Sequence, residues 1–265
     1  HEIDGWDDLR RRLNPADRRC FGFFHPSMID EPLIFVEVAL TDHVAEDIQS
    51  LLAPAAPTKA DGPLPTTAVF YSISNCQDGL RGVSFGNFLI KQVVDELKKE
   101  FESLRTFVTL SPVPRFAGCL EAVKKGEVSD GLDLSGAERA VLRRFDEPLW
   151  WEQREDDEEL RDLVMALAAH YFLDAKGPTG RPVDPVARFH LGNGARLEKI
   201  NWLADTSIRG LKQSYGLMVN YLYDPREIEA NHEAFANLGQ IAASRQVRNL
   251  ERARGRRGAK TQTTS

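Results

Sequence analysis

The residues from 66 to 101 carry the pattern most suited to holding an anion. Thr66–Ser74 reads TTAVFYSIS, a β-rich run. Asn75–Gly86 is a loop containing Gly79, Gly82 and Gly86. An amphipathic helix is predicted over Asn87–Phe101, with Phe88, Leu89, Val93, Val94, Leu97 and Phe101 recurring every three to four positions. The first N–H groups of a helix have no intrahelical partner, and with the helix dipole they attract a phosphate. Glycines let the backbone approach closely. Arg81 adds positive charge, and Ser84 or Asn87 could cap the helix. The loop is neither a Walker A motif nor G-x-G-x-x-G. Phosphate binding and a plain strand-to-helix turn are both open on spacing alone.

The elements around this unit follow from the same patterns. A short charged helix is predicted at Trp6–Leu13, then an apolar run at Cys20–Phe24. Leu33–Leu40 reads as a buried strand, His43–Leu52 as a helix, and the proline-rich stretch 53–65 as a loop. Leu104–Leu110 reads as a strand stopped by Ser111-Pro112-Val113-Pro114. The stretch 115–175 is largely helical, Lys176–Pro185 is a loop, and Ala187–Leu191 reads as a short strand. Gly192–Tyr223 mixes both signals, and Glu227–Arg252 reads as one last helix. The expected organisation is a lead-in at 1–30, a main domain at 31–252, and a disordered basic tail at 253–265.

Composition narrows the class. The chain has 265 residues, 42% apolar and 28% charged, with a net charge of −6. That suits a globular domain and gives no global basic surface for nucleic acid. Cys20, Cys76 and Cys119 are odd in number and lack C-x-x-C spacing, so a reducing compartment is expected. Cys76 and Cys119 are expected to be buried. No apolar run reaches a membrane-spanning length, and the first residues are polar and acidic, unlike a signal peptide. These points suggest a cytoplasmic protein with no membrane partner. The start at His1 suggests numbering that begins inside a longer chain. His25, His43, His170 and His232 show no metal-ligand spacing.

Four segments together resemble the malonyl-CoA decarboxylase family. They are EPLIFVEVAL at 31–40, FYSISNCQDGLRGVSFGNFLIKQVVDELKKEF at 70–101, TLSPVPRF at 109–116, and RFHLGNGARLEKINWLADTSIRGLKQSYGLMVNYLY at 188–223. The resemblance implies an α/β (α+β) domain with a GNAT-like acyltransferase fold, a central mixed sheet flanked by helices. It implies malonyl-CoA as substrate, acetyl-CoA as product, and no metal or organic cofactor. The family's CoA-binding segment falls on Arg81, Gly82, Val83, Ser84, Phe85, Gly86 and Asn87. Its catalytic serine falls on Ser111, its catalytic histidine on His190, and an active-site tyrosine on Tyr223. Ser84 replaces an acidic residue common in that loop, and Arg115 replaces a glycine common after the second proline. A homo-oligomer is compatible with the resemblance.

The implied chemistry fits these residue types. Breaking the C2–carboxylate bond of a malonyl thioester leaves an enolate. That enolate needs anchoring of CoA, donors for its oxygen, and an acid for C2. Histidine's ordinary pKa near 6.5 makes His190 the expected acid, paired with Ser111. Asn193 and Tyr223 are the expected orienting residues. Without the resemblance, Ser111 reads as a strand terminator, His190 as structural and Tyr223 as a core aromatic. Two rivals share the pattern, an acyl-CoA-dependent N-acyltransferase and a non-catalytic malonyl-CoA-binding module.

Overall fold

A long hairpin starts the sheet. Strand β1 (Arg18–His25) pairs antiparallel with β2 (Met28–Thr41), with register shifts around Phe24, which faces Pro32. Proline cannot donate to a ladder, which accounts for the irregularity at that point. The sheet therefore begins at Arg18, inside the stretch expected as a lead-in. The structure is a computed structural model that describes residues 13, 15–53, 64–77, 79, 88–127, 134–153, 157–178 and 180–262. The expected helix at Trp6–Leu13 lies outside them except for its last residue.

Helix α1 (Ile48–Leu52) is shorter than the predicted His43–Leu52, because Asp47 caps it by accepting from Ser50 N. Strand β3 (Thr67–Asn75) pairs antiparallel with β2. Helix α2 (Phe88–Glu100) then returns the chain so that β4 (Thr106–Thr109) lies parallel to β3. Strand β5 (Ser111–Pro112) follows at once. Helices α3 (Phe116–Lys125), α4 (Gly136–Leu142), α5 (Trp150–Gln153) and α6 (Glu158–Leu173) fill most of the stretch predicted helical.

The expected strand at Ala187–Leu191 is instead helix α7 (Pro185–Gly192). Asp184 accepts from Val186 N and Ala187 N, and Pro185 occupies the first helical position. Asp-Pro is a helix-start signal, whereas apolar residues at alternate positions over only five residues do not distinguish strand from helix. Strand β6 (Arg196–Asn201), helix α8 (Ile208–Ser214) and strand β7 (Met218–Leu222) follow. The predicted last helix is two, α9 (Ile228–Leu238) and α10 (Arg245–Gln262), separated at Gly239, which has φ 63°. The backbone of α10 continues to Gln262, past the point where disorder is expected.

In the sheet, β1, β2, β3 and β4 are successive neighbours, and β7 pairs antiparallel with β4, β5 and β6. This is the mixed α/β sheet flanked by helices that the resemblance implies. The larger core joins one face of the sheet to α2, α3, α6 and α7, and includes Phe70, Phe107, Leu120, Leu167 and Leu191. The smaller core includes Val69, Val108 and Met218, with Ile48 and Leu51 of α1. Each such fully buried side chain contributes roughly 1.5–3 kcal/mol of transfer free energy.

Candidate active site

Strands β3 and β4 run side by side only as far as the Phe70–Thr109 pair. One further bond, Leu110 N to Phe70 O at 2.9 Å, closes the ladder. Beyond it β3 continues to Asn75, while β5 turns to pair Ser111 with Val219 and Pro112 with Met218. Pro112 and Pro114 remove two N–H groups that continued pairing would use. The parted strands open a cleft of about 320 Å³, lined by Tyr71, Ile73 and Asn75 on one side and by Ser111, Pro112 and His190 on the other.

The cleft's polar floor is a chain of side-chain hydrogen bonds. Ser111 Oγ lies 3.1 Å from His190 Nε2 and donates to Thr109 Oγ1 at 2.8 Å. The Tyr223 hydroxyl lies 2.8 Å from His190 Nδ1. The His190 ring stacks on Tyr221, with centroids 4.6 Å apart. Ser111, His190, Tyr221 and Tyr223 are all buried. Thr109 and Ser111 are two apart on one extended segment, as are Tyr221 and Tyr223 at the end of β7, so each pair shares a face.

Helix α7 delivers His190 from its last turn. Buried Asp184 caps its start and is 3.3 Å from the Tyr171 hydroxyl of α6. At the other end, Asn193 caps the helix, and Gly194 has φ 80°. A Cβ at Gly194 would lie 2.1 Å from Ile228 O, so α9 packs directly on this turn. Asn231 Nδ2 donates to Gly194 O at 3.2 Å, and His232 Nδ1 contacts Gly192 O at 2.6 Å.

Burial decides the electrostatics. It lowers the His190 pKa from 6.5 to about 3, so the ring is neutral at physiological pH. The reference pKa near neutrality that suggested an imidazolium acid is therefore not the pKa of this site. Burial also pushes the Tyr223 and Tyr221 hydroxyls far above their ordinary range. Asn193 acts in the opposite sense on Tyr223, by favouring its anion. Its Nδ2 nonetheless meets no acceptor at full hydrogen-bond geometry among the described residues.

The family profile described as "Malonyl-CoA decarboxylase C-terminal domain" matches residues 1–261. The chain belongs to the malonyl-CoA decarboxylase family. It is 37% identical over 265 residues to mitochondrial malonyl-CoA decarboxylase of Anser anser anser, covering 93% of this chain and 52% of that protein. The Rattus norvegicus protein of the same name is 37% identical over 267 residues, with 94% and 54% covered. The crystal structure of malonyl-CoA decarboxylase from Rhodopseudomonas palustris matches with a TM-score of 0.84 and 55% identity, covering 94% of this chain and 60% of that one. That from Agrobacterium vitis gives 0.87 and 53%, covering 95% and 61%. The chain thus spans about half the length of the curated relatives it matches.

Against the residues that resemblance to malonyl-CoA decarboxylases singled out, the fold brings Ser111, His190 and Tyr223 into one buried chain, with Asn193 beside Tyr223. The segment Arg81–Asn87, with Gly82, Val83, Ser84, Phe85 and Gly86, lies outside the described residues. Arg115 is exposed at the start of α3. Thr109, Tyr221 and Asp184 were not anticipated. The first two could have been found from the two-residue strand period that links them to Ser111 and Tyr223, and Asp184 from its place before Pro185. The three cysteines are free thiols; neither Cys76 nor Cys119 is fully buried, Cys76 being exposed just past the end of β3 and Cys119 half-buried on α3. Among the described residues, no group of three or more His, Cys, Asp or Glu could hold a metal ion, and no helix is long and apolar enough to cross a membrane.

Proposed function

We propose that the chain is the catalytic part of a malonyl-CoA decarboxylase, converting malonyl-CoA to acetyl-CoA and CO2. The observation that carries this reading is the buried hydrogen bond between Ser111 and His190 at the wall of the cleft between β3 and β5. The cleft suits a malonyl group, with the CoA body following β3 outward toward the start of α2, which Arg81–Asn87 precede in the sequence. Binding energy from that remote part positions the acyl group.

The C2–carboxylate bond breaks, its electron pair passes to the thioester oxygen, and CO2 leaves. The enolate carbon then takes a proton. A thioester enolate carbon is far more basic than imidazole, so a neutral ring can act as the acid, as neutral imidazoles do elsewhere in carbonyl chemistry. His190 gives its Nε2 proton to C2, and Nδ1 takes the proton of the Tyr223 hydroxyl. Tyrosinate is strongly disfavoured at this buried position, so Tyr223 regains a proton from solvent. One proton is consumed for each CO2 released. The thioester carbonyl is itself the electron sink, so the reaction needs no metal or organic cofactor.

A cytoplasmic location and a homo-oligomeric assembly belong to the same proposal. Three free thiols support a reducing compartment.

The test is incubation with malonyl-CoA and no acceptor, following acetyl-CoA and CO2, beside His190→Ala and Ser111→Ala variants that still bind CoA. Equal amounts of both products from the wild type, lost in both variants, support the reading. CoA binding without turnover overturns it in favour of a binding module. Turnover that requires an added amine favours the N-acyltransferase.

A further inference from the structure

The direction of the hydrogen bonds along the buried chain is set at Thr109. Ser111 Oγ is placed to donate to Thr109 Oγ1 at 2.8 Å. Thr109 is itself held on two sides. Its carbonyl accepts from Asn220 Nδ2 at 2.9 Å, and its Oγ1 accepts from Tyr221 N at 3.2 Å. Asn220 Nδ2 also donates to Ala45 O at 3.0 Å, and its Oδ1 accepts from Asn201 at 2.7 Å. All four side chains, Thr109, Ser111, Asn201 and Asn220, are buried. These contacts occupy the place where β4 and β7 lack ordinary ladder bonds, between the Val108–Leu222 and Ser111–Val219 pairs.

A serine hydroxyl has one proton. With that proton on Thr109, the 3.1 Å contact between Ser111 and His190 is made only if Nε2 carries a hydrogen and Ser111 Oγ accepts it. Nδ1 of the neutral ring is then an acceptor, which the Tyr223 hydroxyl satisfies at 2.8 Å. The chain therefore reads Tyr223 to His190 to Ser111 to Thr109, each donating to the next. This is the reverse of a serine nucleophile, whose histidine must accept the serine proton at Nε2.

We infer that Thr109 is a positioning residue that, by accepting the Ser111 proton, holds His190 as the Nε2–H tautomer and keeps Ser111 from acting as a nucleophile. The inference deepens the decarboxylase reading and rests on it for its meaning in turnover. It gives the cleft a proton donor beside the acyl group and bars the transfer of that group to Ser111. Thr109 itself touches Ser111 rather than substrate.

The two nitrogens of a neutral imidazole, protonated and unprotonated, have well-separated 15N shifts, so the tautomer is read directly in protein labelled at histidine. The wild type is expected to show Nε2 protonated at His190. Thr109→Val removes the acceptor at nearly constant shape. It should add the Nδ1–H form and lower kcat by about 10-fold or more with KM within about two-fold. Thr109→Ser should restore both. A wild-type His190 protonated at Nδ1 overturns the assignment, and that spectrum decides even if Thr109→Val does not fold. A Thr109→Val chain that keeps the single Nε2–H form also overturns it, whatever its rate. Failure of the wild type to release CO2 would sink the decarboxylase reading, while the spectra would still decide the role of Thr109.

Discussion

The Tyr223 hydroxyl lies 2.8 Å from Nδ1 of His190, joining the end of the central sheet to the last turn of α7 inside the protein. The contact has a kinetic consequence. Tyr223→Phe keeps the ring and removes the proton that Nδ1 accepts. We expect kcat for CO2 release to fall about 100-fold, with KM changed little. Steady-state kinetics on malonyl-CoA check this, and an equal rise in KM with unchanged kcat would assign Tyr223 to binding instead.

Burial of His190 makes stability depend on pH. The folded ring has a pKa of about 3, whereas in the unfolded chain it binds a proton below about 6.5. Its contribution is full above pH 6.5 and is lost as pH falls from 6.5 toward 3. Between pH 6.5 and pH 5 the loss is about 2 kcal/mol. Urea unfolding at the two pH values should show a fall larger by about that amount in the wild type than in His190→Gln. Equal falls would mean that the ring is already protonated in the folded state.

Asp184 holds the start of α7 through two backbone N–H groups and lies beside the Tyr171 hydroxyl. Asp184→Ala leaves those groups without their partner in the interior. A loss of about 2–3 kcal/mol is expected in denaturant unfolding. Asp184→Asn retains an acceptor oxygen and should cost less. Since the cap orients the helix that carries His190, kcat should fall in the same order.

The turn after α7 admits no side chain. Gly194 has φ 80°, and a Cβ there would meet Ile228 O at 2.1 Å. Gly194→Ala must either strain the turn or push α9 away. A loss of more than about 3 kcal/mol and a lower Tm are expected. By contrast, Gly118→Ala, exposed on helix α3 with open space around its Cβ, should be neutral or stabilising by up to about 1 kcal/mol.

The sequence and the structure agree where patterns are local and part where they are not. The β3–α2 unit is legible because a compact β-rich run is followed by a long, clean period of about 3.6. The strand at Leu33–Leu40 is found but extends to Met28–Thr41, because only pairing with β1 shows that the preceding polar residues join the sheet. Ala187–Leu191 is misread because its apolar residues, Ala187, Phe189 and Leu191, alternate over too short a stretch to exclude a helix, and the decisive signal, Asp184-Pro185, lies just outside that stretch. Ser111, His190 and Tyr223 are legible by resemblance. Their mutual distances are not, since they lie 79 and 33 positions apart. The neutral state of His190 is a property of burial, which residue type cannot supply. Thr109 carries no motif of its own, and its meaning appears only once Asn220, Tyr221 and Ser111 surround it.

The parting of β3 from β5 leaves a sheet edge facing inward rather than at the rim of the molecule. Such an edge offers main-chain donors and acceptors, which every residue except proline carries, so substitution hardly alters what it can hold. Under the proposed function, grip on the extended CoA arm and choice of the acyl group it carries are thereby separated. The grip is written in the backbone and should survive substitution at exposed Ser74, whereas Tyr71 is held in the smaller core. The choice falls to the side chains that line the cleft, Ser111, Phe189 and His190 on one side and Tyr71, Ile73 and Asn75 on the other, so changes of substrate among relatives should concentrate there.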